Sequence, residues 1–178
     1  DELRMATNFT GKVIGVSIKD RGAILPAGHF ANWAFWSTKT GAFISSSFYG
    51  DKMPDWVTQF NAEKNYMKYI DKGWSLLKPI DTYNESLPDN NPYEGRLEKS
   101  VAPVFPYDLK KIYNESGMEV LKTTPFGNDF LAELAMRAID KEELGKDNIT
   151  DFLAFSFSST DYVGHTFGPR SIEIQDTY

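Results

Sequence analysis

At 178 residues, 41% of them hydrophobic and 15% aromatic, the chain suffices for one domain or slightly more with a real core, and is too apolar to be disordered. A net charge of −6 argues against a general nucleic-acid binder, and no apolar run approaches the ~18 residues of a membrane span. With no cysteine there are no disulfides and no thiolate ligands, and the redox compartment stays open.

Residues 1–8 read as the end of a helix, with Leu3, Met5 and Ala6 as formers and Thr7-Asn8 as its release. Residues 12–19 are a strand rich in β-branched residues. It empties into Lys19-Asp20-Arg21 and then into a loop running to Gly28. Residues 31–36 and 42–47 pair as a hairpin around 37–41. Pro54 opens an amphipathic helix to Lys64, with Trp56, Val57 and Phe60 on one face. From Gly73 to about Pro125 the texture changes, punctuated by Pro79, Pro88, Pro92, Pro103, Pro106 and Pro125. Irregular, surface-lying structure with short strands is expected there, as a cap-like insertion over 73–125.

The strongest helix covers 126–145. Its stripe is Phe130, Leu131, Leu134, Ala135, Ala138 and Ile139; Asn128 or Asp129 serves as cap and Gly145 as stop. It leads into 152–157, an apolar run suited to a strand buried on both faces of a parallel sheet. The polar exit Ser158-Ser159-Thr160 then presents Asp161 and His165, with Gly164 between them to turn the backbone sharply. Residues 171–178 read as a helix opening after Pro169. The pattern is α/β: a mostly parallel sheet flanked by helices, with chemistry at the carboxyl ends of its strands. The start at Asp1, without methionine, and the stop inside a helix opening lead us to expect a piece of a longer protein.

A carboxylate with an imidazole suits zinc better than magnesium or calcium. Asp161 and His165 also read as a turn-capping aspartate and a hydrogen-bonded histidine, and spacing alone does not choose. Lys19 and Arg21, alternate residues at a strand exit, suit a clamp on phosphoryl oxygens or a solvated basic pair. Together the two pairs fit phosphate-ester hydrolysis, in which a metal polarises one oxygen and cations neutralise the others. Trp33, Trp36, Trp56 and Trp74 leave room for a non-catalytic sugar- or anion-binding module, or simply for core packing. The sequons at Asn8, Asn84, Asn114 and Asn148 read as glycan acceptors or as ordinary loop residues.

The stretch 161–169, Asp-Tyr-Val-Gly-His-Thr-Phe-Gly-Pro, resembles the metal motif of type I phosphodiesterases and nucleotide pyrophosphatases, a branch of the alkaline phosphatase superfamily. Residues 13–29 resemble PafA-type alkaline phosphatases more closely still, as do 1–7, 54–61, 91–95 and 124–128. The resemblance implies an incomplete alkaline-phosphatase-like core, 1–178 being a fragment of one catalytic domain. It implies Asp161 and His165 as two ligands of one of two zinc ions in the full-length parent, and Lys19 and Arg21 as contacts to the transferred phosphoryl group of a monoester. His29 is then structural and buried. A threonine nucleophile, giving a phosphothreonine intermediate, would lie upstream, and an Asp-His ligand pair with a last histidine downstream; Thr123, Thr124 and Thr160 do not fit that motif. The implied parent is a periplasmic or secreted phosphatase acting on a small phosphoester, with a phosphodiesterase or nucleotide pyrophosphatase as the alternative. The fragment alone is expected to be inactive and metal-free or weakly occupied. No oligomeric state is implied.

Overall fold

In the computed structural model, which describes residues 1–98 and 100–178, the chain divides into two compact units, 1–64 with 130–157 and 65–129 with 158–178.

The first unit is built on a four-stranded sheet of order β3-β2-β1-β4. β1 (Val13–Ser17) is buried at every position, as its β-branched run predicts. It pairs in parallel with β2 (Trp33–Ser37) and with β4 (Phe152–Ser156). β3 (Phe43–Ile44) pairs antiparallel with β2, closing the predicted hairpin. The sheet is therefore mixed but mostly parallel, with helices around it. α1 (Glu2–Ala6) precedes β1, and α3 (Asp55–Glu63) buries Trp56, Val57 and Phe60. α7 (Pro125–Lys141) runs from the second unit into the first, burying Phe130, Leu131, Leu134, Ala135 and Ala138; Ile139, placed on the same stripe, is exposed. Asp151 fixes the entry to β4, its carboxylate accepting from the amides of Lys12 (2.6 Å) and Gly145 (2.8 Å).

Two expectations fail in this unit. The stretch after Lys19 is not a loop but α2 (Asp20–Ala27), which turns Ala23 and Ala27 to the sheet. β4 is not buried on both faces: Phe152 is 47% exposed and Phe155 37%. Among the described residues β4 pairs only with β1, so it is an edge strand with apolar area left uncovered.

The second unit has its own buried residues, among them Trp74, Leu97, Tyr107, Leu109, Val120, Leu121 and Phe167. It contains α4 (Met67–Lys72), a 3-10 turn (Ile80–Thr82), α5 (Leu109–Ser116), α6 (Glu119–Lys122), α8 (Ser159–Phe167) and α9 (Ile172–Thr177). Between 73 and 125 short strands were expected. Among the described residues there is a single bridge, Trp74 with Tyr107, and the regular structure is helical. Proline-rich spacing hid α5, whose start is capped by Asp108 accepting from the Lys111 amide.

Candidate active-site residues

β1 and β4 run side by side in register, Ser17 opposite Ser156, so both strands release the chain at one end of the sheet. The first turn of α2 lies on that end. A Cβ added to Gly22 would stand 2.5 Å from Ser17 Oγ and 3.2 Å from Ser156 Oγ, so only a glycine lets the turn come so close. Lys19 is the extended residue preceding α2, its amide donating to Ser17 Oγ at 3.1 Å. Arg21 is the second residue of the helix and is exposed. Two cations at the positive end of a helix oppose its dipole, while the free amides there favour an anion. The carboxylate of Asp20, which accepts from the Arg21 amide at 2.7 Å, adds a negative charge at the same end.

Asp161 and His165 sit on α8, not in a sharp turn. Gly164 is an ordinary helical residue whose added Cβ would meet Ile174 at an unstrained 3.5 Å. The spacing of four puts both side chains on one helix face. His165 Nε2 lies 3.3 Å from Asp161 Oδ1, and the side chains are 80% and 48% exposed. Among the described residues no third His, Cys, Asp or Glu joins them in an arrangement able to hold a metal. A catalytic zinc takes three protein ligands, so the pair by itself does not complete a shell. The cation pair lies in the first unit and the Asp/His pair in the second.

His29 is exposed, not buried. Gly28, at φ 85°, carries the chain outward after α2, leaving the His29 side chain 82% exposed, with Nδ1 3.6 Å from Asp1 Oδ2. Thr124 is fully buried and donates to the Leu121 carbonyl, and Thr123 is buried beside it. Of the tryptophans, Trp56 and Trp74 are core residues and Trp33 stacks on Phe35, which favours packing over a sugar-binding surface.

The residue that sequence reasoning misassigned is Asn128. Read as a cap for its own helix, it instead accepts from the Ser159 amide at 3.0 Å, where Ser158 makes no side-chain cap. It thus supports the start of the helix that carries Asp161 and His165. Only the tertiary structure shows this, since 31 residues separate the partners.

The chain matches the family model described as type I phosphodiesterase / nucleotide pyrophosphatase over residues 10–178. It is 53% identical to alkaline phosphatase PhoV of Synechococcus elongatus, over all of this chain and 32% of that protein. It is 52% identical to a protein of Myroides odoratus named calcium-transporting ATPase, over all of this chain and 33% of that one. A crystal structure of wild-type alkaline phosphatase PafA superposes with a TM-score of 0.96 at 49% identity, covering all of this chain and 34% of that one. The chain thus spans about one third of the length of the relatives it matches.

Proposed function

Because the chain belongs to the type I phosphodiesterase / nucleotide pyrophosphatase family, we propose that it forms part of a metal-dependent phosphate-monoester hydrolase of the alkaline phosphatase kind. The carrying observation is the parallel register of β1 with β4, which puts two polar exits at one end of one sheet, the first ending in the cations of α2 and the second continuing into α8. High identity to proteins named alkaline phosphatases supports the same reading.

In this reading Lys19 and Arg21 hold the non-bridging oxygens of the phosphoryl group. A monoester dianion carries one more negative charge than a diester and gains more from two cations. Asp161 and His165 supply two ligands of one of two zinc ions, and the remaining ligands and the threonine nucleophile come from outside 1–178. The metal, when bound, polarises phosphoryl oxygen and lowers the pKa of water. With only two ligands of its own, the chain alone is expected to be inactive and to hold metal weakly. A periplasmic or secreted setting goes with this proposal; among the described residues no helix is long and apolar enough to cross a membrane.

The test compares the full-length protein with its Lys19→Ala/Arg21→Ala variant on a phosphomonoester, a phosphodiester and ATP. The expected loss in monoester kcat/KM is roughly a hundredfold or more, with a much smaller loss on the diester. A wild type that prefers diesters, or equal losses on both substrates, would move the assignment to a phosphodiesterase or pyrophosphatase. Asp161→Ala in the same protein is expected to lower zinc content and turnover together.

A further inference from the structure

Among the described residues, the second unit buries carboxyl groups without a counter-ion. Glu173 of α9 is fully buried. Its Oε1 accepts from the Tyr107 hydroxyl at 2.5 Å, while Oε2 has no hydrogen-bond partner. Glu94 has both carboxylate oxygens buried with no partner in hydrogen-bond geometry. Asp89 accepts from the Phe105 amide through Oδ2 at 3.2 Å and leaves Oδ1 buried and unpartnered. Among the described residues, four carboxylate oxygens on three side chains are therefore buried without a partner in hydrogen-bond geometry.

The groups that act on Glu173 are Tyr107, Glu94 and Asp89. Among the described residues no lysine, arginine or histidine is one of those acting on the three carboxyls. Asp176, three residues along α9, is engaged elsewhere, by the Trp74 indole at 2.7 Å and by the Tyr83 hydroxyl. Three unpaired carboxylates cannot all stay ionised in such a place; proton uptake is the cheapest relief. A metal fits less well, because among the described residues no three such side chains are arranged to hold one.

Asp89 and Glu94 lie in a loop that is tied at both ends. The Leu87 amide donates to the Arg170 carbonyl and the Gly95 amide to the Thr166 carbonyl, both at 2.8 Å. Asp89 and Glu94 lie between those two ties, with carboxylate oxygens buried and unpartnered. We propose that Asp89, Glu94 and Glu173 each take up a proton on folding, Glu173 beside the Tyr107 hydroxyl, forming a proton-dependent clasp that fastens the loop 87–95 against α9 and opens as the carboxyls ionise. Thr166 is on α8, so opening the clasp loosens the support of that helix.

Burial pushes the Glu173 carboxyl up to about 7; the Tyr107 hydrogen bond offsets only part of this, and the charges of Glu94 and Asp89 add to it. Burial likewise raises Asp89 and Glu94. The folded state thus binds the proton more tightly than the unfolded one. Stability is full below the ordinary value of 4.5, falls as pH rises from there, and levels off above about 7.

The test is urea unfolding of the chain from about pH 5 to about pH 9, for wild type, Glu173→Gln and Glu94→Gln, with and without added Ca²⁺. For wild type the folded-to-unfolded ratio is expected to fall by about a hundredfold across that range, and for Glu173→Gln by less than about tenfold. Glu94→Gln, at a residue less buried than Glu173, keeps the test decisive if Glu173→Gln does not fold; its slope should lie between the two. Amide exchange at Leu87 and Gly95 should accelerate beyond the ordinary base-catalysed trend in wild type only. A flat wild-type profile, or an unchanged slope in the variants, overturns the proposal. So does Ca²⁺ that restores stability at high pH in wild type and not in the variants, because the cluster would then be a cation site.

Discussion

Gly15 shows how much one missing methyl group decides. It lies mid-strand in β1, where glycine has low strand propensity and leaves a gap in a run of β-branched neighbours. The gap is filled by backbone. A Cβ there would stand 2.3 Å from the Ala23 carbonyl oxygen and 2.9 Å from the Ala27 methyl, both on α2. The helix therefore rests directly on the strand, glycine against alanines, and this close seat is what sets Lys19 and Arg21 over the strand ends. Gly15→Ala has no flexible side chain to push aside, only a helix backbone. We expect a loss of about 2 kcal/mol or more in urea unfolding, together with weakened phosphate binding in the full-length protein. An unchanged midpoint would mean that α2 lifts without cost.

At the level of the element, α8 begins without a cap of its own and borrows one from α7. Asn128 supplies the acceptor for the Ser159 amide, and Gly127 permits the approach, since a Cβ there would sit 2.4 Å from Ser159 Oγ. Asn128→Ala is expected to cost about 1 kcal/mol and Asn128→Asp far less, because a carboxylate accepts the same bond and favours a helix N-terminus. Denaturation midpoints of the two variants check this; equal losses would show that the contact matters for shape and not for capping. The strands and the hairpin were legible in the sequence because β-branched and aromatic runs bounded by turn residues have few alternatives. α2 and α8 were not, since Gly22, Pro26 and Gly28 in one and Ser158, Ser159 and Gly164 in the other punctuate the local pattern. The signal present in both was spacing by four: Ala23 with Ala27, and Val163 with Phe167, all buried. The candidate site residues were proposed from the chemistry of their types, which does not depend on whether helix or loop presents them. Asn128 was read on the wrong helix, and Glu94 and Glu173 were not singled out, because what defines all three is surroundings far away in sequence.

At the scale of the whole chain, the run 152–157 is more apolar than its place in the four-stranded sheet requires. Reading it as a doubly buried strand followed from composition alone, whereas the sheet order leaves β4 at the edge with β1 as its only described neighbour. Phe152, Phe155 and Phe157 are 47%, 37% and 56% exposed, and the rings of Phe155 and Phe157 meet at a tilt, centroids 4.3 Å apart, in one patch. An exposed apolar edge strand is a template for pairing with another chain. The chain at high concentration is accordingly expected to self-associate through β4. Phe155→Lys puts a charge on that patch while removing only a partly covered ring, so it should restore the monomer at a stability cost of about 1 kcal/mol. Sedimentation across a concentration series reads the outcome. If wild type and variant associate alike, the edge is not the contact, and the apolar surface around Leu25 and Phe48, 76% and 64% exposed on the same unit, becomes the surface to substitute next.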